Sequence, residues 1–249
     1  MKIVSWNCNG ALRHKLHAID QLDADILIIQ ECENPKNKSE EYRKWAGHYI
    51  WHGTDNNKGI GIFAKNNNSI SALDWGGEFT ISGLKRSHTS LTWLSSELKL
   101  FLPIRVNNEF NILGVWTKGN RDGSFGYMGQ FWKYLQINDD NLQLSDTIII
   151  GDFNSNSIWD KSDRWWNHSS VIDELFELNF LSLYHHFRNE QQGKETQPTF
   201  YLQRNENKSY HIDYAFVSKS ILEKCQIEVG DKNKWLATSD HMPIIITLI

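Results

Sequence analysis

The chain has 249 residues, of which 40% are hydrophobic and 22% charged, with a formal net charge of −4 at pH 7. This length and composition are typical of a globular protein with a substantial core, in one large domain or two small ones. The acidic balance argues against a strongly basic nucleic-acid-binding scaffold, although it is compatible with a local basic rim. Its three cysteines are too few and too scattered for a disulfide framework or a thiolate zinc site: Cys8, Cys32 and Cys225.

No apolar run approaches the ~20 residues that a membrane-spanning helix requires. Residues 1–7 have the pattern of a strand and lack the apolar region of a signal peptide. Scattered cysteines suit a reducing compartment. We therefore expect a cytoplasmic protein without a membrane partner, acting as a monomer.

In chain order, short β-branched runs alternate with polar turns and helical patterns. Strands are predicted at residues 2–6, 25–30, 59–64, 98–106, 111–117, 146–150, 199–203, 211–218, 226–230 and 243–249. Helices are predicted at residues 14–22, 128–136 and 170–178. No linker divides the chain, so we expect one domain over residues 1–249. The order of elements predicts an α+β fold of two mixed sheets packed face to face, with helices outside.

Polar side chains lie at the ends of several predicted strands, where rigid strands meet loops that can carry function. They are Asn7, Asn9, Glu31, Asp152 and Asn154, with Asp213 in a later strand and Asp240 and His241 before the last one. Carboxylate and amide oxygens are the ligands that Mg²⁺ prefers, and a histidine beside an aspartate can be held as a cation that stabilises phosphoryl charge. Each residue alone is more simply interpreted as a turn former, a helix cap or a solvated side chain. Only the ordered set predicts a catalytic site.

Five short segments, in this order, resemble the signature of the endonuclease/exonuclease/phosphatase superfamily. They are Ser5-Trp6-Asn7-Cys8-Asn9-Gly10, Ile29-Gln30-Glu31, Gly151-Asp152-Phe153-Asn154, His211-Ile212-Asp213-Tyr214 and Ser239-Asp240-His241-Met242-Pro243. The resemblance spans residues 3–246, and the superfamily includes deoxyribonuclease I, abasic-site endonucleases of the exonuclease III type, inositol polyphosphate 5-phosphatases and neutral sphingomyelinases. It implies a four-layer α/β/β/α sandwich and a metal-dependent phosphoesterase that uses Mg²⁺, with Mn²⁺ as the alternative.

The resemblance also implies where the metal binds. Glu31 would be the main Mg²⁺ ligand. Asn9 and Asp240 would be further ligands, direct or through water.

The remaining matched residues would act on the substrate. Asp152 would orient or deprotonate the attacking water, while Asn7 and Asn154 would hold phosphate oxygens or the nucleophile. Asp213 would hydrogen-bond His241, whose other nitrogen would face the scissile phosphate. This division suits phosphoryl transfer, which requires mostly positioning and charge neutralisation.

Aromatic and basic residues near these segments suggest a nucleic-acid substrate, because aromatic faces stack on unpaired bases and cations meet backbone phosphates. The predicted substrate contacts are Trp116, Lys118, Trp165, Trp166 and Tyr210, with Arg13, Lys15, Arg121, Lys161 and Arg164 as further loop cations. Trp116 stands where nucleases of the superfamily often carry Tyr or His, and an indole more often packs than donates. Lys118 could supply the positive contact instead. Packing of the aromatics and solvation of the charges are the simpler interpretations.

We therefore predict a nuclease acting on DNA or RNA. Net acidity, short loops and the lack of an evident added binding module leave an alternative, a phosphatase or phosphodiesterase acting on a small phosphorylated metabolite. A third hypothesis, a binding module that has lost its chemistry, is disfavoured because a binder gains nothing evident from clustered buried like charges.

Overall fold

The computed structural model describes residues 1–82, 91–98, 100–119, 125–164 and 166–249. The strands in these ranges are β1 (Lys2–Asn7), β2 (Ile26–Cys32), β3 (His48–Asp55), β4 (Lys58–Ala64), β5 (Ile70–Ala72), β6 (Glu78–Ile81), β7 (Leu91–Leu94), β8 (Phe101–Val106), β9 (Phe110–Trp116), β10 (Thr147–Asp152), β11 (Phe180–Ser182), β12 (Phe200–Tyr201), β13 (Ser209–Tyr210), β14 (Asp213–Ser218), β15 (Cys225–Val229) and β16 (Ile244–Leu248). The helices are α1 (Leu16–Asp20), α2 (Glu40–Ala46), α3 (Met128–Gln143), α4 (His168–Glu177), α5 (Leu183–Arg188) and α6 (Lys232–Trp235). The predicted contacts Trp165 and Arg121 lie outside the described residues.

Two six-stranded mixed sheets form the centre of the molecule. The first has the strand order β15-β16-β1-β2-β4-β3 and the second the order β11-β14-β10-β9-β8-β5. In the first sheet β1 is parallel to β2 and antiparallel to β16, and in the second β10 is parallel to β9 and antiparallel to β14. The carboxyl ends of β1 and β10 therefore lie beside the amino-terminal ends of β16 and β14.

The space between the sheets is filled mainly by aliphatic side chains. Ile28 and Ile62 of the first sheet and Ile112 and Ile150 of the second are all fully buried there. β-Branched residues suit this position because they pack well on a pleated surface. Gly114 marks a close approach of the sheets, since a Cβ atom there would lie 3.1 Å from side-chain carbons of Ile28 and Ile60.

Helices cover the outer face of each sheet. On the first sheet, α1 and α2 bury Leu16, Ile19 and Tyr42 against strand residues such as Val4 and Leu27. On the second, α3 and α4 bury a separate cluster that includes Phe131, Leu135, Val171 and Leu175 with Ile149. The result confirms the predicted α/β/β/α sandwich.

Several predicted boundaries are wrong for local backbone reasons. Residues 14–22 are not one helix, because Lys15 has φ −124° and separates a 3-10 turn at Leu12–His14 from α1. The strand predicted at residues 199–203 ends at Tyr201, because Leu202–Arg204 form a 3-10 turn in which Gln203 has φ +56°. Among the elements that were not predicted are α2, β3, β11, β13, α5 and α6.

All three cysteines are buried free thiols. Within the described ranges, no helix has the length and apolar character needed to cross a bilayer.

Candidate active site

The carboxyl ends of β1 and β10 meet across the two sheets. Asn7 is the last residue of β1 and Asp152 the last residue of β10, and both are buried. The Asn7 Nδ2 atom donates a hydrogen bond of 2.8 Å to Oδ2 of Asp152. Asp213, the first residue of β14, is paired in register with Asp152. The topology thus gathers side chains from three distant segments at one edge of the sandwich.

Gly151 allows β10 to lie very close to β9 just before Asp152. Its φ is +155°, and a Cβ atom there would lie 1.9 Å from the carbonyl oxygen of Val115 in the neighbouring strand. Only glycine fits so close a contact without moving the backbone. The Asn154 backbone N–H then donates to Oδ1 of Asp152 at 2.9 Å, so each carboxylate oxygen accepts one hydrogen bond.

His241 lies opposite Asp152, held by Asp213. Its Nδ1 atom donates to both carboxylate oxygens of Asp213, at 2.9 and 3.1 Å. Its Nε2 atom lies 4.0 Å from Oδ2 of Asp152, too far for a direct hydrogen bond. The ring also stands against Phe200, with 4.5 Å between ring centroids. We call Asn7, Asp152, Asp213 and His241 the catalytic cluster.

Two hydroxyl groups that the sequence did not single out support this cluster. Ser239 Oγ donates to the carbonyl oxygen of Asn7 at 2.8 Å and accepts the backbone N–H of His241 at 3.1 Å. Thr199 Oγ1 accepts the backbone N–H groups of Ile212 and Asp213, both at 3.0 Å. Ser239 stands inside a motif segment and could have been noticed, whereas Thr199 carries no local sequence signal.

The surroundings raise the pKa of both Asp152 and His241. Burial raises the pKa of Asp152, the His241 cation opposes that change, and Asp213 adds to it. Burial alone would lower the pKa of His241, but the carboxylates of Asp213 and Asp152 outweigh it and raise the pKa to about 9. The imidazole is therefore a cation at neutral pH, beside a carboxylate that binds a proton more readily than usual.

Glu31 lies within a strand and does not follow it, which corrects the sequence prediction. The pairing of β2 with β4 shifts register between Gln30 and Cys32, and the intervening Glu31 has φ +61°. This bulge re-aims the side chain, as bulges beside active sites commonly do. One carboxylate oxygen lies 2.5 Å from the Lys58 ammonium.

The other predicted metal ligands lie near the same edge. Asn9 is exposed with φ +52°, and its backbone N–H donates to Oδ1 of Asn7 at 3.0 Å. Asp240 directly precedes His241 and is half-buried. Burial lowers the pKa of Lys15, and Asp240 and Glu31 both oppose this effect. The two carboxylates thus act on one ammonium group.

A second set of side chains could also hold a metal. One ligand atom from each of Asp152, Asp213 and His241 can be chosen so that all three lie within 4.8 Å of one another. In this arrangement, however, Asp213 already binds His241 and Asp152 already binds Asn7.

The predicted substrate contacts differ in accessibility. Trp116 is 2% exposed and belongs to the core between the sheets, while the Lys118 ammonium lies 3.9 Å from its ring centroid. Trp166 is half-buried and stacks on Phe125 at 4.1 Å. Tyr210 is half-buried beside the catalytic cluster. Asn154, whose amide donates to the carbonyl oxygen of Thr117 at 3.2 Å, remains partly accessible.

A second polar group, here called the support cluster, lies behind the catalytic cluster and consists of the buried Asn156 and His168 and the half-buried His185, Gln192 and Glu195. Asn156 Nδ2 donates to the carbonyl oxygen of His211 at 2.9 Å and to Glu195 at 3.1 Å. The support cluster therefore anchors the segment that leads into Asp213.

The whole chain has the fold of known nucleases. An AP endonuclease from Archaeoglobus fulgidus superposes with a TM-score of 0.66 and 18% identity, covering 100% of this chain and 99% of that one. The 3'-5' exonuclease NExo from Neisseria meningitidis gives 0.69 and 17%, with the same coverage. The APE2 catalytic domain from Xenopus laevis gives 0.63 and 18%, covering 100% of this chain and 91% of that one. No curated protein sequence matches the chain.

The sequence itself matches the model of the Endonuclease/Exonuclease/phosphatase family over residues 4–241. That range contains the catalytic cluster, Glu31 and Asp240, and it covers nearly the whole chain. The chain therefore belongs to the Endonuclease/Exonuclease/phosphatase family and is a hydrolytic enzyme.

Proposed function

We propose that this enzyme hydrolyses phosphodiester bonds of a nucleic acid with the help of a bound divalent metal ion. The observation that carries the proposal is the buried pairing of Asp152 with the Asp213–His241 dyad, separated by the 4.0 Å between His241 Nε2 and Asp152 Oδ2. A proton acceptor and a cation face each other there, at the open edge of both sheets. We further propose that residues 1–249 act as one domain and as a monomer in the cytoplasm.

In this proposal Asp152 accepts the proton of the attacking water. A general base works best when its pKa lies near the working pH, and burial raises the pKa of Asp152 in that direction. The amide of Asn7 and the backbone N–H of Asn154 each bind one of its oxygens, so they orient the carboxylate. The Asn154 side chain is left to hold a phosphate oxygen or the water.

His241 binds the phosphate in the same proposal. Asp213 accepts the hydrogen bond of Nδ1–H, which fixes the ring and leaves the Nε2 N–H to donate toward a phosphate oxygen. A preorganised cation in a buried site stabilises the charge that develops during phosphoryl transfer. Asp213 acts through His241 and is a positioning residue.

The residues at the site fit a hard divalent metal such as Mg²⁺, with Mn²⁺ as the alternative. Glu31, Asp240 and Asn9 offer only oxygen donors, which these metals prefer. Glu31 already attracts a cation, the ammonium of Lys58, whose side chain is 50% exposed and free to move aside. When bound, the metal would neutralise phosphate charge and lower the pKa of a bound water. Glu31 would hold it most directly because of its bulged position in β2.

Nucleic acid is the substrate class that the surroundings favour. Tyr210 lies 6.5 Å from Phe200, whose ring packs on His241, and Lys118 lies close enough to Glu31 for their charges to interact. Among proteins of the same fold, the 3' phosphatase NExo from Neisseria has been described bound to a product DNA hairpin. That structure concerns NExo, and it supports the present proposal by analogy of fold.

The test is product formation by the purified protein with Mg²⁺, with Mn²⁺ and with EDTA. The substrates are supercoiled plasmid, single-stranded DNA, RNA, an abasic-site duplex and simple phosphomono- and diesters. We expect metal-dependent cutting of a nucleic acid, lost in EDTA and restored by adding metal. Turnover of the small esters alone would replace the nuclease by a small-molecule phosphatase or phosphodiesterase. Silence from folded, metal-loaded protein would overturn the proposal.

A matched pair of variants locates the metal. Glu31→Gln should raise the metal concentration needed for half-maximal rate at least about tenfold, because one carboxylate ligand is lost. Glu41→Gln, at an exposed position of α2, should leave it unchanged. An unchanged metal requirement in Glu31→Gln would move the metal to the Asp152, Asp213 and His241 group.

A further inference from the structure

A cavity of about 250 Å³ opens beside Asn154, between the loop that follows β10 and the start of α3. Nothing in the proposed hydrolysis requires it. Three aromatic residues and three polar ones contribute to its lining: Tyr127, Asn154, Trp159, Arg164, Trp166 and Asn167. Because Asn154 belongs both to this lining and to the catalytic edge, the cavity is continuous with the active site.

A series of aromatic rings leads from the catalytic histidine to this cavity. Phe200 lies 4.5 Å from His241 and 6.5 Å from Tyr210, and Tyr210 lies 5.1 Å from Trp159 at the cavity wall. Trp159 remains 46% exposed and Tyr127 49% exposed. Large aromatic side chains left accessible in this way, next to a polar reaction centre, are typical of a binding surface.

The chemistry of the lining selects one kind of ligand. Ligand cavities for drug-sized molecules measure about 300–1,000 Å³, so this one suits a single flat heterocycle. The partly exposed Trp159 and Tyr127 offer ring faces on which such a heterocycle can stack. The exposed Arg164 side chain forms no ion pair with the part of the chain that the structure describes, which leaves its guanidinium available for a phosphate.

The described residues of the loop that forms the cavity are held by hydrogen bonds within the protein. Asn167 binds the backbone of Lys161 and Arg164 through its side chain. Asp160 accepts the backbone N–H groups of His168 and Ser169 at the start of α4. A loop that is already ordered loses little conformational entropy when a ligand binds.

We propose that this cavity binds the base of an unpaired nucleotide next to the scissile phosphate. The proposal rests on the proposed nuclease function and narrows its substrate to single-stranded segments, ends or gaps. A base can enter a walled cavity only after it has left the helical stack. Arg164 would then hold the phosphate of the same nucleotide, while the catalytic cluster acts on the neighbouring one.

The test compares the binding of two single strands that differ only in their bases. One is a fluorescein-labelled oligodeoxynucleotide, and the other has the same backbone with every base replaced by hydrogen. Fluorescence anisotropy in EDTA gives the Kd of each without turnover. We expect the wild-type protein to bind the base-bearing strand at least about tenfold more tightly, or about 1.4 kcal/mol.

Trp159 is the residue to change, because its exposure makes the fold tolerant of substitution. Trp159→Ala should reduce the preference for bases to about twofold or less, and Trp159→Phe should retain most of it, since a phenyl ring still stacks. Phe176→Ala removes an equally aromatic side chain, 66% exposed on α4, and should leave the preference unchanged.

Equal binding of the two strands by the wild-type protein would overturn the proposal. An equal loss of preference in Phe176→Ala and Trp159→Ala would also overturn it. Cutting of nucleic acid without any preference for base-bearing strands would overturn the cavity proposal but support the nuclease function. Base-dependent binding without any cutting would support the cavity proposal but overturn the nuclease function.

Discussion

The catalytic cluster and the support cluster are built from the same residue types but have opposite properties. The catalytic cluster is buried and the support cluster is partly buried, and both join histidine to carboxylate. In the support cluster, Glu195 accepts hydrogen bonds from His185, Gly193 and Asn156. In the catalytic cluster, His241 Nε2 and Asp152 Oδ2 face each other without bonding.

The pKa values express this difference. Burial alone would raise the pKa of Glu195, but its hydrogen bonds, foremost that from His185, lower it to about 2. Burial lowers the pKa of His168 to about 4, and each ring nitrogen has a neutral partner, Ser155 or Gln192. The pKa shifts of Asp152 and His241 are both upward. A buried histidine and carboxylate are thus structural when all their hydrogen bonds are made within the protein. They are reactive when a donor or acceptor atom is left to face a substrate.

The largest expected effect is the loss of activity when Asp152 of the catalytic cluster is changed. Asp152→Asn keeps the shape but removes the proton acceptor, and its single amide oxygen can accept from Asn7 or from the Asn154 backbone N–H but not from both. We expect kcat to fall about 100- to 10,000-fold, the usual contribution of a general base. Thermal unfolding should show that the variant is folded, so that the loss of activity reports the missing proton acceptor.

The control for this variant is Asp140→Asn, an exposed change on α3 that should leave kcat unchanged. Wild-type activity in Asp152→Asn would show that proton transfer passes through another group.

The next largest expected effect is a loss of stability when Glu195 of the support cluster is changed. Glu195→Gln places an amide where three N–H donors bind the carboxylate, so at least one hydrogen bond to a charged group is lost. We expect the free energy of unfolding to fall by about 1.5–3 kcal/mol, measured by urea denaturation. The variant should retain more activity than Asp152→Asn, since Glu195 lies outside the catalytic cluster.

Glu228→Gln, exposed in β15, should change the free energy of unfolding by less than about 0.5 kcal/mol. If Glu195→Gln were no more destabilising than this control, the support cluster would not stabilise the fold.

The smallest effect is the acid response that His168 contributes. Its folded-state pKa of about 4 lies below its ordinary value of 6.5, so on acidification the unfolded chain takes up a proton first. Stability is therefore lost as pH falls from about 6.5 toward 4, by about 1 kcal/mol between pH 7 and 5.5. Glu195 continues this loss as pH falls through its lowered pKa.

His168→Gln should weaken the pH dependence of the melting temperature in this range, and the exposed change His17→Gln should not. An unchanged slope in His168→Gln would mean that this histidine is not held neutral.

The sequence predicted the sandwich and the catalytic cluster for different reasons. Continuous β-branched runs such as residues 26–29 and 148–150 predict buried strands, because only side chains buried on both faces of a sheet are apolar without alternation. The catalytic residues emerged only because five motif segments occur in a known order. Taken singly, Asn7 or Asp213 is indistinguishable from a turn or strand residue.

The features that the sequence did not predict depend on contacts between segments, which no local sequence pattern indicates. His168, His185 and Glu195 meet in the support cluster although they are distant in sequence, and His168 and His185 resemble ordinary surface histidines in the sequence. The bulge at Glu31 depends on pairing with β4, which a single strand does not reveal. Trp116 shares its strand face with Ile112 and Gly114, so the alternation of β9 would have placed it in the core.

The most direct test of the central claim is the pH–rate profile of phosphodiester hydrolysis, for the wild type and for Asp213→Asn, in single turnover so that chemistry limits the rate. The wild-type rate should rise with pH as Asp152 loses its proton and fall above about pH 9 as His241 loses its own. Asp213→Asn should move the falling limb to lower pH, because the carboxylate that raises the His241 pKa is gone. A wild-type rate that is flat from about pH 5 to about pH 9, or a falling limb that does not move in Asp213→Asn, would contradict the roles of Asp152 and His241.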